Sequence, residues 1–243
     1  MNEYNRADAI ILCGGLGTRL KSIQPELPKI LTPIGDLTLL DKLITQITRA
    51  GLNRVILSLG HLSEKVIEYV DNIDKSNIEI IKVIESKPLG TGGALKLASL
   101  QSKSDHVLVI NGDSYTDINP SDLLQFHVKH NSSLTMLVVR VVDSSRYGSV
   151  LLDSSCLIKS FQEKSTNNQG EHLVNAGMYV IDQSILGRIE VGRAISLERD
   201  IFPELIGDQC YGYKSDSKFL DIGTPDSFSA AEQFFLSLNH DNQ

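Results

Sequence analysis

The sequence predicts an α/β fold: a sheet of largely parallel strands with helices on both faces. Three observations carry that expectation. Apolar runs of strand length alternate with amphipathic runs of helical spacing through the first half of the chain, the pattern of successive strand–helix units. Two of those apolar runs end in glycine-rich turns, Gly14-Gly15-Leu16-Gly17 and Leu89-Gly90-Thr91-Gly92-Gly93. A third, Val107–Ile110, runs straight into Asn111-Gly112-Asp113. Ligands of such sheets bind at the carboxyl ends of the strands, so these loops are expected to share one crevice.

In chain order, Ile10, Ile11 and Leu12 suit a strand buried on both faces. Leu39 to Ala50 has helical spacing and stops at Gly51. Arg54–Leu59 is a second strand, ended by Gly60. Ser63, a suitable N-cap, opens a short helix through Val66, Ile67 and Val70. Ile78–Ile84 is a third strand, and the second glycine-rich turn opens a helix through Leu100. Val107–Ile110 is a fourth strand, and Pro120–His130 reads as a helix. Beyond it come β-rich segments at Leu134–Val142, Ser149–Leu152, Leu157–Phe161 and Asn175–Ile181. Ser196 begins a capped helix that Pro203 is expected to bend or end. Phe219–Ile222 is a short strand, and Thr224-Pro225 opens a last helix reaching about Leu238.

Composition narrows the function classes. The 243 residues carry a net charge of −7, which argues against a nucleic-acid surface. No apolar run approaches the roughly 20 residues that span a bilayer, and the polar stretch Met1–Asp8 lacks a signal-peptide core. Cys13, Cys156 and Cys210 are scattered and form no C-x-x-C pair, as expected of reduced thiols in a cytoplasmic protein. None of the six histidines forms a pair with ligand spacing on an expected face. With that net charge, a phosphorylated ligand would be met by a few local cations and a metal rather than by the overall field. Phe228, Phe234, Phe235 and Leu238 form an apolar stripe suited to the core or to an interface, and both a monomer and a homo-oligomer fit the sequence.

Gly14, Gly15 and Gly17 let backbone N–H groups approach a ligand, and Arg19 and Lys29 place positive charge beside that nest. The loop is neither a P-loop nor G-x-G-x-x-G, because no Lys-Ser or Lys-Thr follows and Leu20 fills the last glycine position. The whole string Ala9 to Leu20 with Pro28-Lys29 resembles the signature of the sugar-1-phosphate nucleotidyltransferases. Cys13 stands where that family usually has Ala. The resemblance extends from Ala9 to about Phe228. It implies a Rossmann-like mixed sheet flanked by helices, in a single-domain nucleotidyltransferase (GT-A-like) fold over residues 1–243. Residues 8–118 would form the nucleotide-binding half and 119–238 the sugar-phosphate-binding half, with a small sugar-binding subregion.

The same resemblance assigns roles. Asp113 and Asp221 match the family's metal-binding aspartates and would hold Mg²⁺. Lys29 would bind phosphate at the reacting centre, and Arg19 the triphosphate and departing pyrophosphate. Leu12, Gly14, Gly15, Gly17, Thr18, Asn111 and Gly112 would complete the nucleotide site. Glu163-Lys164 resembles the pair that meets a sugar hydroxyl and the sugar's phosphate, Asn175-Ala176-Gly177 the sugar-binding Asn-x-Gly, and Gly148 a glycine that contacts the sugar through its backbone. Glu85 could accept the two adjacent donors of guanine, at N1 and N2, with Pro88 alongside and Gly92 and Gly93 letting the base lie on backbone. Glu85 and Pro88–Ala94 resemble guanylyltransferases for mannose-type sugars. The implied substrates are GTP and a sugar 1-phosphate, D-glycero-α-D-manno-heptose 1-phosphate foremost. A uridylyl- or thymidylyltransferase, or a mannose-1-phosphate guanylyltransferase, is the near alternative. A non-catalytic sugar-nucleotide-binding regulator is the distant one.

Overall fold

A computed structural model describes residues 7–15, 26–73, 77–162, 169–207 and 209–240. Its first six strands are β1 (Asp8–Leu12), β2 (Pro33–Ile34), β3 (Leu37–Thr38), β4 (Arg54–Leu59), β5 (Glu79–Ile84) and β6 (His106–Asn111). Then come β7 (Ser114–Thr116), β8 (Leu134–Asp143), β9 (Ser149–Leu152), β10 (Ile158–Gln162), β11 (Gln169–Asp182), β12 (Cys210–Ser215) and β13 (Phe219–Asp221). The helices are α1 (Leu39–Arg49), α2 (Ser63–Asn72), α3 (Gly90–Ser99), α4 (Pro120–Lys129), α5 (Gln183–Gly187), α6 (Phe202–Leu205) and α7 (Pro225–His240).

Nine strands form one mixed sheet. Along it run β10-β9-β11-β6-β1-β4-β5, with β8 pairing β11 and β12. β6, β1, β4 and β5 are mutually parallel, and β11 is antiparallel to β6, β8 and β9. From β1 the chain first goes to β4 on one side and later returns to β6 on the other. That reversal opens a crevice at the carboxyl ends of the parallel strands.

Alternation along β1 sends successive side chains to two separate cores. Ile11 joins Leu40, Leu43 and Ile47 of α1 with Leu123 and Leu124 of α4. Ile10 joins Leu95 and Ala98 of α3 with Leu186, Leu197 and Phe202. Both isoleucines are fully buried, which is why this strand reads as a continuous apolar run. α1 starts on a capping box: Thr38 Oγ1 accepts from Asp41 N–H and the Asp41 carboxylate accepts from Thr38 N–H.

Several expectations are revised. Ser63 is the first residue of α2, and the cap position is Leu62 at φ 58° with no side-chain bond. The strand expected at Asn175–Ile181 is fourteen residues long, with irregular pairing on either side of His172–Asn175. β12 was not foreseen. It adds parallel to β8, Cys210 opposite Leu134 and Ser215 opposite Val139. Ser196 Oγ does accept from Arg199 N–H, but it caps a π-helical turn over Leu197–Ile201. Pro203 then sits in the first turn of α6, where its missing N–H costs nothing.

Candidate active site

A cleft of about 350 Å³ lies at the carboxyl ends of β1, β4, β5 and β6. Its walls include Leu12, Gly14 and Gly15 after β1, Ser58 on β4, Glu85 and Pro88 after β5, and Asn111, Gly112 and Asp113 after β6. Lys29 and Ile30 close one side and Gly90, Thr91 and Ala94 of α3 another. The structure thus gathers most of the expected nucleotide site from four separate strand ends. Gly17, Thr18, Arg19, Glu163 and Lys164 lie outside the described residues.

Close packing explains the glycines. Gly112 donates its N–H to Leu12 O at 2.9 Å. A Cβ on Gly112 would lie 2.7 Å from that oxygen and 2.8 Å from Ile30 Cδ1. A Cβ on Gly14 would meet Glu85 Oε1 at 3.0 Å, and one on Gly60 would collide with the same oxygen. Gly60, which the sequence marks only as the end of a strand, is therefore also a wall for Glu85. Glu85 Oε2 accepts from Leu89 N–H at 3.0 Å, so the carboxylate is held in place at the cleft edge.

Gly92 and Gly93 serve a different purpose from the one expected. Both donate their N–H to Ile195 O, at 2.9 and 3.2 Å. A Cβ on Gly92 would lie 3.0 Å from Ile195 Cγ2, and one on Gly93 would collide with Arg193 O. They let α3 press against the 193–197 segment, and neither is among the residues lining the cleft, where Gly90 and Thr91 stand instead.

Asp113 and Asp221 are brought together by the pairing of β7 with β13, which sets Asp221 opposite Ser114. Ile222 N–H donates to Asp113 O at 2.8 Å. Each carboxylate holds a cation: Lys29 Nζ is 2.8 Å from Asp113 Oδ2, and an Arg146 terminal nitrogen is 2.7 Å from Asp221 Oδ2. Arg146 was missed by the sequence reading; its position directly before Tyr147-Gly148 was the available signal. Two neighbouring carboxylates repel unless cations compensate them, and oxygen ligands of this kind suit a hard divalent cation. Asp221 has room for one: a Cβ on Gly223 would sit 2.9 Å from both Asp221 oxygens, so the glycine leaves that carboxylate its space. Beside them, Asn111 Oδ1 is buried with no partner among the described residues. Cys13 lines the same wall. Burial, and then the charge of Asp113, push its thiol pKa up, which disfavours the thiolate.

Of the residues expected to bind the sugar phosphate, Gly148, Asn175 and Gly177 lie together. Asn175 N–H donates to Gly148 O at 2.9 Å, and Gly177 N–H to Asn175 Oδ1 at 2.9 Å. Asn175 Nδ2 donates to Tyr179 OH at 2.7 Å. Gly177 has φ +74°, and a Cβ there would lie 2.7 Å from Ser114 Oγ and 3.0 Å from Asn111 Nδ2. The glycine thus packs the Asn175–Gly177 segment of β11 against the end of β6.

At the opposite end of β6, two histidines that the sequence reading left unpaired share one carboxylate. His106 Nδ1 is 2.6 Å and His127 Nε2 3.0 Å from Asp182 Oδ1. Their donor atoms lie within 4.8 Å of one another, but each is already hydrogen-bonded within the group. Spacing could not reveal them, since they come from β6, α4 and the end of β11.

Comparison with known proteins places the chain in a family. The family model described as nucleotidyl transferase covers residues 8–237. Mannose-1-phosphate guanylyltransferase of Mycobacterium tuberculosis is 34% identical over 227 residues, 92% of this chain and 63% of that protein, so the chain spans under two thirds of that relative. D-glycero-alpha-D-manno-heptose 1-phosphate guanylyltransferase of Aneurinibacillus thermoaerophilus is 34% identical over 227 residues, 93% of this chain and 97% of that one. The crystal structure of HddC from Yersinia pseudotuberculosis complexed with GMP-PN superposes with a TM-score of 0.84 at 32% identity, covering 94% of this chain and 99% of that one. The chain belongs to the nucleotidyl transferase family.

Proposed function

We propose that this protein is a guanylyltransferase that joins GTP and a sugar 1-phosphate, D-glycero-α-D-manno-heptose 1-phosphate first among them, to give GDP-sugar and pyrophosphate. The observation that carries the reading is the cleft itself, where the Gly14-Gly15 turn, Lys29, Glu85 and Asp113 converge. A relative named for the heptose substrate is matched over nearly its full length.

In the reaction, a phosphate oxygen of the sugar 1-phosphate attacks the α-phosphorus of GTP. The new P–O bond forms as the bond to the β-phosphate breaks, and the electron pair leaves with pyrophosphate. The nucleophile is already ionised, so the protein's work is alignment and charge neutralisation. The Gly14-Gly15 backbone cradles the triphosphate, helped by Arg19, Gly17 and Thr18. Lys29 faces the reacting phosphate. Glu85 reads the guanine edge with Pro88 beside it, and Gly148, Glu163, Lys164, Asn175 and Gly177 hold the sugar phosphate. Mg²⁺ on Asp113 and Asp221 would supply charge at the transferring phosphoryl group. In this account residues 1–243 form one domain, with nucleotide held by 8–118 and sugar phosphate by 119–238.

We further infer that the enzyme acts in the cytoplasm, a reading supported by Cys13, Cys156 and Cys210, which are thiols outside any disulfide. Among the described residues no helix is long and apolar enough to cross a membrane. Its product would feed a bacterial surface glycan such as lipopolysaccharide, capsule or S-layer glycan. The test is pyrophosphate release with GTP, CTP, UTP and dTTP crossed against heptose, mannose and glucose 1-phosphates. Turnover confined to GTP with heptose 1-phosphate is the expected result. Preference for UTP or dTTP would overturn the account of Glu85, and nucleotide binding without turnover would make the protein a regulator.

A further inference from the structure

We propose that Arg146 is a displaceable counter-ion: it holds Asp221 while the cleft is empty, and passes to the phosphate of the incoming sugar 1-phosphate when a divalent cation takes that carboxylate. The proposal rests on the guanylyltransferase reading and adds to it a residue outside the family-derived set.

Three features of the structure carry it. Arg146 is bound to Asp221 at 2.7 Å, and its Nε is buried with no partner among the described residues. A buried guanidinium donor left unpaired is unfavourable, and its fork matches the two oxygens of a phosphate. The second feature is position. Arg146 lies in the turn between β8 and β9, two residues before Gly148, whose carbonyl binds Asn175 N–H. It therefore belongs to the sugar-binding element while touching a carboxylate of the metal-binding pair. The guanidinium also lies over the Tyr147 ring, 5.6 Å from its centroid, a contact that steadies the side chain without occupying its donors.

The third feature is charge balance. Among the described residues Asp113 holds Lys29 and Asp221 holds Arg146. A divalent ion on the same two carboxylates adds two positive charges to those already paired there. The anions that arrive with it are phosphates, and Arg146 is the cation beside the sugar-binding residues. Metal and guanidinium thus compete for Asp221, and the competition ends when the substrate phosphate offers Arg146 another partner.

The consequence is a pair of effects of opposite sign in one variant. Arg146→Gln removes the competitor, so Mn²⁺ binds the nucleotide-free protein about three- to tenfold more tightly, read by water-proton relaxation. The same variant loses the phosphate contact, so KM for the sugar 1-phosphate rises about tenfold or more while KM for GTP stays within about twofold. Arg146→Lys keeps the charge and restores wild-type Mn²⁺ affinity, recovering part of the sugar-phosphate KM. A thermal melt of each variant confirms that it is folded. Mn²⁺ affinity that is unchanged or weakened in Arg146→Gln overturns the proposal, as does an unchanged sugar-phosphate KM. Wild-type protein that turns over no nucleotide–sugar pair sinks the guanylyltransferase reading alone; the Mn²⁺ comparison still decides whether Arg146 competes for Asp221.

Discussion

Gly93→Ala separates packing from base recognition in the second glycine-rich turn. In an exposed helix interior this change stabilises by about 1 kcal/mol. Here the added methyl would collide with Arg193 O and lie 2.9 Å from Leu89 Cβ. Neither atom can rotate away, because the 193–198 segment is laced to α3. Ile195 N–H donates to Leu89 O at 2.8 Å, Leu197 N–H to Thr91 Oγ1 at 2.9 Å, and Thr91 Oγ1 to Glu198 Oε2 at 2.7 Å. Overpacking of this kind costs about 1–3 kcal/mol, and forcing the segment apart weakens the Gly93–Ile195 hydrogen bond by about 1 kcal/mol more. After the helix-propensity gain, the expected loss is about 1–3 kcal/mol. For a chain of this length each kcal/mol lowers Tm by about 2–4 °C, so Gly93→Ala should melt roughly 2–12 °C below wild type. The control is Gly187→Ala at the end of α5, where an added Cβ meets nothing within 4 Å and Tm should hold or rise. A Gly93→Ala protein that melts at or above wild type would refute the packing account.

Other predictions follow from the same geometry. Gly177→Ala forces a Cβ into left-handed backbone against Ser114 Oγ; the expected cost is about 1–3 kcal/mol, measured by denaturant unfolding, with a raised KM for the sugar 1-phosphate. Glu85→Gln keeps an acceptor for Leu89 N–H but loses the charge that pairs guanine's donors, so kcat/KM for GTP relative to UTP should fall about 10- to 100-fold. For Asp182, burial would raise the carboxyl pKa, but the hydrogen bonds and charge of His106 and His127 overcome it and hold the group at about 2, against an ordinary 3.8. The hydrogen bond to Asp182, opposed by partial burial, raises His106 above its ordinary 6.5. The carboxylate's contribution is therefore present above pH 3.8 and is lost as pH falls toward 2. The imidazole's is full below pH 6.5 and is lost as pH rises through its raised value. Asp182→Asn should flatten both limbs of the stability–pH curve measured in the presence of a chelator.

The parts of the site that were legible in the sequence are those where one short string fixes both backbone and chemistry. A buried run ending in Gly14-Gly15, and another ending in Asn111-Gly112-Asp113, place their loops on one sheet edge once the strands are parallel. Asp221 was legible through family resemblance and its strand through the apolar run at Phe219–Ile222, but its approach to Asp113 follows from pairing with β7, at three residues too short for pattern reading. β12 escaped because Cys210-Tyr211-Gly212-Tyr213 mixes glycine with aromatics, and its place beside β8 is decided by tertiary packing. Gly92 and Gly93 were misread because a glycine string beside a cleft looks the same whether ligand or protein fills the space. Only the position of Ile195, a hundred residues on in the chain, distinguishes the two. Arg146 and the His106–His127–Asp182 group were hidden for the same reason: their partners are distant in sequence.

The central claim is that guanylyl transfer takes place in this cleft and depends on Asp113. The most direct measurement is Mg²⁺-dependent pyrophosphate release from GTP and heptose 1-phosphate, with wild type and Asp113→Asn compared in parallel. The account predicts turnover by the wild type and a loss of about 10²-fold or more in kcat for the variant, with the fold intact by thermal melt. Equal turnover by the two proteins would contradict it.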